Sequence, residues 1–218
     1  QAEIRAVQQA EAAAYFAKVA ESWDLLKTLH VPEAAVEAAV LGALSGRQVD
    51  LVIDLGTGTG RMLEVLAPAY KRGIGLDSSR EMLAVARSRL ASSGLAHAQV
   101  RLADIADLDA DIGLGDVIVI HQVLHYFDDP GRMLAQARTL LRPGGEILIV
   151  DFAPHDLEFL RADHAHRRLG LSQEQMQGWA EAAGLVVRSS REFPSDNQDR
   201  GLTVCLWHLG DRTNTDKA

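Results

Sequence analysis

The chain has 218 residues, 47 % of them apolar and 24 % charged, with a formal net charge of −8. That apolar content lets one domain, or one domain with an extension, bury its own core, and it excludes disorder over most of the chain. No run approaches the roughly 20 apolar residues of a membrane-spanning helix, and an acidic chain repels phosphate backbones, so neither membrane nor nucleic acid is expected to bind this chain alone. Cys205 is the only cysteine, which excludes an intrachain disulfide framework and any site built from several thiolates. The sequence shows no secretory leader, and a cytoplasmic location is expected.

Residues 2–44 read as helix, rich in Ala, Glu and Gln. Val7, Ala10, Ala14, Ala17 and Leu25 fall near helical spacing, with Tyr15, Phe16 and Trp23 among them. Pro32 breaks the run and starts a second helix carrying Val36, Val40, Leu41 and Leu44, which Ser45-Gly46 closes. The pattern changes near Val49. Short apolar runs at 51–55, 73–76, 100–102, 116–120 and 146–151 read as strands. Helices are predicted between them at 61–70, 79–92 and 130–141, and the last helix precedes a turn at Arg142-Pro143-Gly144-Gly145. A helix at 172–183 follows, then strands at 185–187 and 202–207 with no helix between them, so one of the two is antiparallel. Such alternation implies an α/β fold with a mostly parallel sheet covered on both faces. The predicted organisation is an N-terminal helical extension at 1–46, a domain at 47–210 and a polar tail at 211–218.

The most informative segment is Asp54-Leu55-Gly56-Thr57-Gly58-Thr59-Gly60, between the first strand and a helix. Glycines there permit a tight turn and close backbone approach to a ligand. The G-x-G-x-G spacing is neither a dinucleotide fingerprint nor a P-loop. Asp54 would repel a pyrophosphate and suits a ligand carrying an ammonium. Asp77, with Ser78 beside it, ends the second strand, where an acid can accept hydrogen bonds from both ribose hydroxyls. Asp104 ends the third strand and suits an exocyclic adenine amine, with Ile105 and Met82 against the ring. Ribose, adenine and an amino-acid tail without phosphate describe S-adenosylmethionine (SAM), whose demethylated product is S-adenosylhomocysteine (SAH).

These residues, with the Leu141-Arg142-Pro143-Gly144-Gly145 turn, resemble the class I SAM-dependent methyltransferases over about residues 49–209. The resemblance implies a Rossmann-like sheet of order 3-2-1-4-5-7-6 with strand seven antiparallel, and methyl transfer from SAM to a small molecule. The segments from His121 to Pro130, from Asp151 to Asp156 and from His164 to Gly170 are similar to a narrower group, in which the domain follows an ArsR-type winged-helix DNA-binding domain. This chain carries no such domain, and the segment around Tyr15-Phe16 and Trp23-Asp24 looks like the connector. That likeness leaves a second reading, a SAM/SAH-sensing module of a transcriptional regulator.

His121 ends the fourth strand and should face the cofactor; His125, one turn further, could face the acceptor, and both are candidate general bases. Packing within the interior is the alternative for each. Gln122, His125 and Tyr126 stand where some quinone-precursor O-methyltransferases carry two acids and a His, so no divalent-metal site is expected. His155, Asp156, His164 and His166, with Arg167 and Arg168, read as a lid or substrate contacts; an imidazole metal site is the alternative. Asp163, Arg167 and Arg168 could select an acidic acceptor. Tyr15, Phe16 and Trp23 read either as a lid over the cofactor or as the apolar stripe of a core or dimer helix, so a homodimer through the N-terminal helices is an open expectation.

Overall fold

A computed structural model describes residues 32–108, 112–195 and 201–211. Helix α1 (Glu33–Ala43) leads into β1 (Val49–Leu55), α2 (Arg61–Leu66), β2 (Tyr70–Asp77), α3 (Arg80–Ser92), β3 (Ala98–Leu102) and β4 (Gly115–His121). Then come α4 (Pro130–Thr139), β5 (Leu141–Phe152), α5 (Phe159–Asp163), α6 (Gln173–Ala182), β6 (Leu185–Phe193) and β7 (Val204–Asp211). The seven strands form one sheet of order β3-β2-β1-β4-β5-β7-β6. The first five are parallel, and β7 runs antiparallel to both β5 and β6. This is the order and direction that the resemblance implied.

Strand periodicity divides the core between the two faces. Ile53, Ile118, Ile120, Ile147 and Ile149 pack in one cluster with Met133, Leu134 and Ala137 of α4 and Met176 and Ala180 of α6. Val52, Val117, Val119, Leu148 and Val150 pack in the other with Val36 and Val40 of α1 and Met62 and Leu66 of α2. Side-chain caps start the helices where the sequence offers them. Ser79 Oγ accepts from Met82 N, Asp129 from Arg132 N, and Ser172 forms a capping box with Gln175.

Several predicted boundaries move. Helix α2 ends at Leu66 rather than at 70, because Ala67–Ala69 tighten into a 3-10 turn around Pro68. Tyr70 instead opens β2, where its buried hydroxyl donates to Leu63 O at 2.7 Å. The predicted turn at 142–145 lies inside β5. Leu141 pairs with Gly115 and Glu146 with Val117, so four residues bulge opposite Asp116 alone. Gly144, at φ +77°, supplies the left-handed step, and Arg142 pairs with Asp116 at 2.8 Å. Strand β6 extends to Phe193 although Arg188–Glu192 is polar, because it is the outermost strand and exposes those residues. Asp211, expected to open the tail, is buried at the end of β7 and pairs with Arg138 at 2.8 Å. The rest of that tail, and Tyr15 and Trp23, lie outside the described residues. Among the described residues no helix is long and apolar enough to cross a membrane.

The end of the predicted extension is part of the domain. Val36, Val40 and Leu44 are buried, and Glu37 of α1 grips Arg61 of α2 with both carboxylate oxygens at 2.7 Å. Val40→Ala should therefore lower unfolding free energy by about 2 kcal/mol, measured by urea denaturation. A loss of only a few tenths would place α1 outside the cooperative core.

Candidate functional site

The parallel register aligns the carboxyl ends of the central strands. Leu55 pairs with Leu76 and with Ile120, Asp77 with Leu102, and His121 with Val150. In open α/β sheets this edge is where ligands bind. Here it bounds a cavity of about 620 Å³, within the usual range for small-molecule sites. Asp54, Gly56, Thr57 and Gly58 form its floor; Asp77, Ser78, Met82, Asp104 and Ile105 line one side and His121 the other.

The loop is shaped by its own hydrogen bonds. Gly56 N and Thr57 N both donate to Leu76 O, at 2.8 and 2.9 Å, which turns the chain sharply off β1. Gly56 sits at φ +75°, and a Cβ there would lie 2.5 Å from Val123 Cγ2, so position and conformation both require glycine. Asp77 braces the turn: Oδ2 accepts from Gly58 N at 2.8 Å and Oδ1 from Ser79 N at 2.9 Å. Asp104, exposed, accepts from Ala106 N at 2.9 Å. Gly60, expected at the cofactor, does not line the cavity. It caps α2 at φ +78° and lies against Ala86, which a Cβ would approach to 3.2 Å.

Asp54 is the electrostatic centre. It is 1 % exposed, and its Oδ2 accepts from Thr57 Oγ1 at 2.7 Å. Oδ1 is buried and has no hydrogen-bond partner among the described residues. Burial pushes the carboxyl up to about 7; the Thr57 hydrogen bond opposes this, and the nearby Asp77 charge adds to it. His121 moves the other way. Burial lowers it to about 4, against the attraction of Asp151 and Glu37, so its imidazole is neutral at physiological pH.

His125 takes the interior packing that was the alternative for it. It is 1 % exposed and lies outside the cavity lining, in the 3-10 turn Leu124–Tyr126. Its Nδ1 stands 2.7 Å from Asp151 Oδ1, and its ring packs against Tyr126 and His166, each at 4.1 Å between centroids. The expected lid residues that the structure describes, His155, His164, His166 and Arg167, also fall outside the lining. His166 is buried, and burial pushes it down to about 3; His155 is half-buried and shifted down for the same reason. His164 packs edge-on against Phe159, and exposed Arg167 stands 3.9 Å from Asp128. Arg168 donates to Asp128 O and lies over the Trp179 ring, away from the cavity. No group of three His, Cys, Asp or Glu side chains among the described residues could hold a metal ion.

Sequence reasoning missed part of the wall. Glu33, Val36 and Glu37 of α1 line the cavity, with Arg61, Met62, Val123 and Phe127. So do Gln122 and Tyr126, which the sequence placed only as replacements for metal ligands. The position of α1 depends on tertiary docking, which no local pattern announces. Gln122 carries a geometric signal, a φ of +54° at a non-glycine residue.

The family model of a methyltransferase domain matches residues 49–193. The chain belongs to this methyltransferase-domain family. A 37.1 kDa protein of a Streptomyces fradiae transposon is 34 % identical over 199 residues, covering 84 % of this chain and 56 % of its own length. The ubiquinone biosynthesis O-methyltransferase of Methylococcus capsulatus is 32 % identical over 130 residues, covering 57 % of this chain and 54 % of its own length. The chain thus spans about half the length of these curated relatives. The N-methyltransferase NodS of Bradyrhizobium japonicum, crystallised with S-adenosyl-L-homocysteine, superposes with a TM-score of 0.66 at 20 % identity, covering 83 % of this chain and 88 % of that one. That last likeness is one of fold.

Asp54 gives the methyltransferase domain a pH signature. The carboxyl is protonated in both states below its ordinary 3.8. From there to about 7 the unfolded chain ionises and the folded one resists, so stability falls as pH rises through that window. Asp54→Asn removes the penalty. Its unfolding free energy, measured by urea denaturation, should exceed that of the parent by a margin that grows from pH 4 to pH 8, on the order of a few kcal/mol at the upper end. A margin independent of pH would mean that Asp54 is ionised normally.

Proposed function

We propose that the chain transfers a methyl group from S-adenosylmethionine to a small-molecule acceptor. The observation that carries this reading is the buried Oδ1 of Asp54, a residue that lines the cavity, which has no hydrogen-bond partner among the described residues. A cationic ammonium would supply its missing donor and draw the carboxyl back toward ionisation. The other donors and acceptors fit the rest of the molecule. Each oxygen of Asp77 accepts one backbone N–H and keeps a second lone pair for ribose hydroxyls. Asp104 would accept from the adenine amine, with Met82 and Ile105 against the ring, and Ser78 lines the same side. When bound, SAM supplies an electrophilic methyl group on a sulfonium. The chain contributes binding, alignment and exclusion of water, which can provide much of the acceleration of a methyl transfer. His121, neutral in the wall, would orient the acceptor by accepting a hydrogen bond; at a pKa of about 4 it is a weak base.

The narrower likeness, to domains that follow an ArsR-type winged helix, belongs to the same proposal, as do a cytoplasmic location and a homodimer through the N-terminal helices. It keeps the SAM/SAH sensor as the second reading, favoured by one observation: among the described residues, His125, His155, His164, His166 and Arg167 do not line the cavity.

Calorimetric titration should show binding of both SAM and SAH. Asp77→Ala should weaken SAM by about tenfold to a hundredfold, the effect of losing a charged hydrogen-bond acceptor; unchanged affinity would remove Asp77 from the site. Transfer of label from methyl-labelled SAM into small molecules of a cell extract supports the enzyme. Tight binding without transfer supports the sensor.

A further inference from the structure

His125 is clamped at three points, two of them on Asp151 and the third on the backbone of Arg167 and Arg168. Its Nδ1 is 2.7 Å from Asp151 Oδ1, and since a carboxylate only accepts, Nδ1 carries the hydrogen. Its backbone N–H donates to Asp151 Oδ2 at 3.3 Å. Its carbonyl accepts from Arg167 N at 2.9 Å and Arg168 N at 3.1 Å. Asp151 lies near the end of β5, and the arginines lie in the connection between α5 and α6. One buried residue therefore ties the loop after β4 to the loop after β5.

The loop after β4 makes one wall of the cavity. Gln122, Val123, Tyr126 and Phe127 all line it, and His125 does not. That loop is strained at its start, where Gln122 adopts a φ of +54° with its N–H donating to Val150 O at 2.7 Å. A strained turn persists only where its surroundings over-determine it. The Asp151 carboxylate is fully buried, and its oxygens are occupied: Oδ1 also accepts from Phe152 N at 2.8 Å. His125 Nε2, by contrast, is buried without a hydrogen-bond partner among the described residues. Its Nδ1 edge is the one held.

We propose that His125 and Asp151 are positioning residues, which hold the strained Gln122–Phe127 wall in the conformation that grips the SAM or SAH ligand. The assignment rests on the cofactor reading above, and it moves His125 from the acceptor to the scaffold behind it. The two residues act through Val123 and Tyr126 and touch no ligand themselves.

The test is SAH affinity by calorimetry on the purified chain, well below the melting point of each variant, alongside amide hydrogen exchange. His125→Ala and Asp151→Asn each disturb the clamp; in the second, an amide NH₂ faces one of three donors. Each should weaken SAH about tenfold, the effect of an unmatched buried hydrogen bond, and raise exchange at 122–127 and at 167–168. His125→Asn keeps a donor near the Nδ1 position and should restore affinity to within about threefold of the parent. If His125→Ala does not fold, Asp151→Asn and His125→Asn carry the comparison alone. Unchanged SAH affinity in Asp151→Asn would make the pair merely structural, and His125→Asn as weak as Asp151→Asn would refute the role of the donor. A parent chain that binds no SAH would instead overturn the cofactor reading.

Discussion

A carboxylate at the end of the central strand, almost wholly removed from water, sets the terms for the rest of this edge of the sheet. Burying Asp54 is unfavourable, and among the described residues the compensation is a single hydrogen bond from Thr57. That bond demands room. In the register of β1 and β2, Asp54 stands opposite Gly75, and any Cβ there would lie 2.5 Å from Thr57 Oγ1. The glycine of β2, the threonine of the loop and the acid of β1 therefore form one steric unit. A larger residue at 75 would push Thr57 away and leave both oxygens of Asp54 unmatched.

The second acid is arranged differently, and the difference bears on ligand binding. Asp77 meets the backbone with both oxygens, so it shapes the loop before any ligand arrives. It also raises Asp54 through space. The edge thus combines one acid that is satisfied and structural with one that is unsatisfied and responsive. On the proposed function, pre-organisation of the loop would lower the entropic cost of binding, and a bound cation would offset the desolvation cost at Asp54. Neither acid alone would give both properties.

Most of the architecture was legible because parallel strands buried on both faces announce themselves as apolar runs, and the glycine loop and its following acids fix the carboxyl edge. What was not legible has identifiable causes. Strand β6 hid its length because an edge strand can be polar, and only pairing with β7 reveals it. The glycine turn before β5 read as a loop because its residues are turn formers, yet the ladder closes on both sides of the bulge. Asp211 read as tail because a charged residue followed an apolar strand; its partner Arg138 is 73 positions away. Helix α1 read as part of an extension because local sequence says nothing about which surface a helix will cover. Its contribution to the cavity, through Glu33, Val36 and Glu37, is tertiary throughout.

The two histidines after β4 show the same limit at the site itself. They are four residues apart, a spacing that on a continuing helix would put them on one face. The chain does not continue as a helix. It leaves the strand at His121, takes a left-handed step at Gln122 and tightens into a 3-10 turn, which carries His125 to the back of the wall. His121 stays in the cavity, deprived of its charge by burial, while His125 meets a buried carboxylate. An imidazole held by an aspartate is a familiar catalytic pairing when the free nitrogen faces substrate. Here the free Nε2 is buried without a hydrogen-bond partner among the described residues, and the imidazole ring packs against Tyr126, Phe152 and His166. On the positioning role proposed for the pair, the same residue types serve geometry rather than proton transfer, because the free nitrogen is buried.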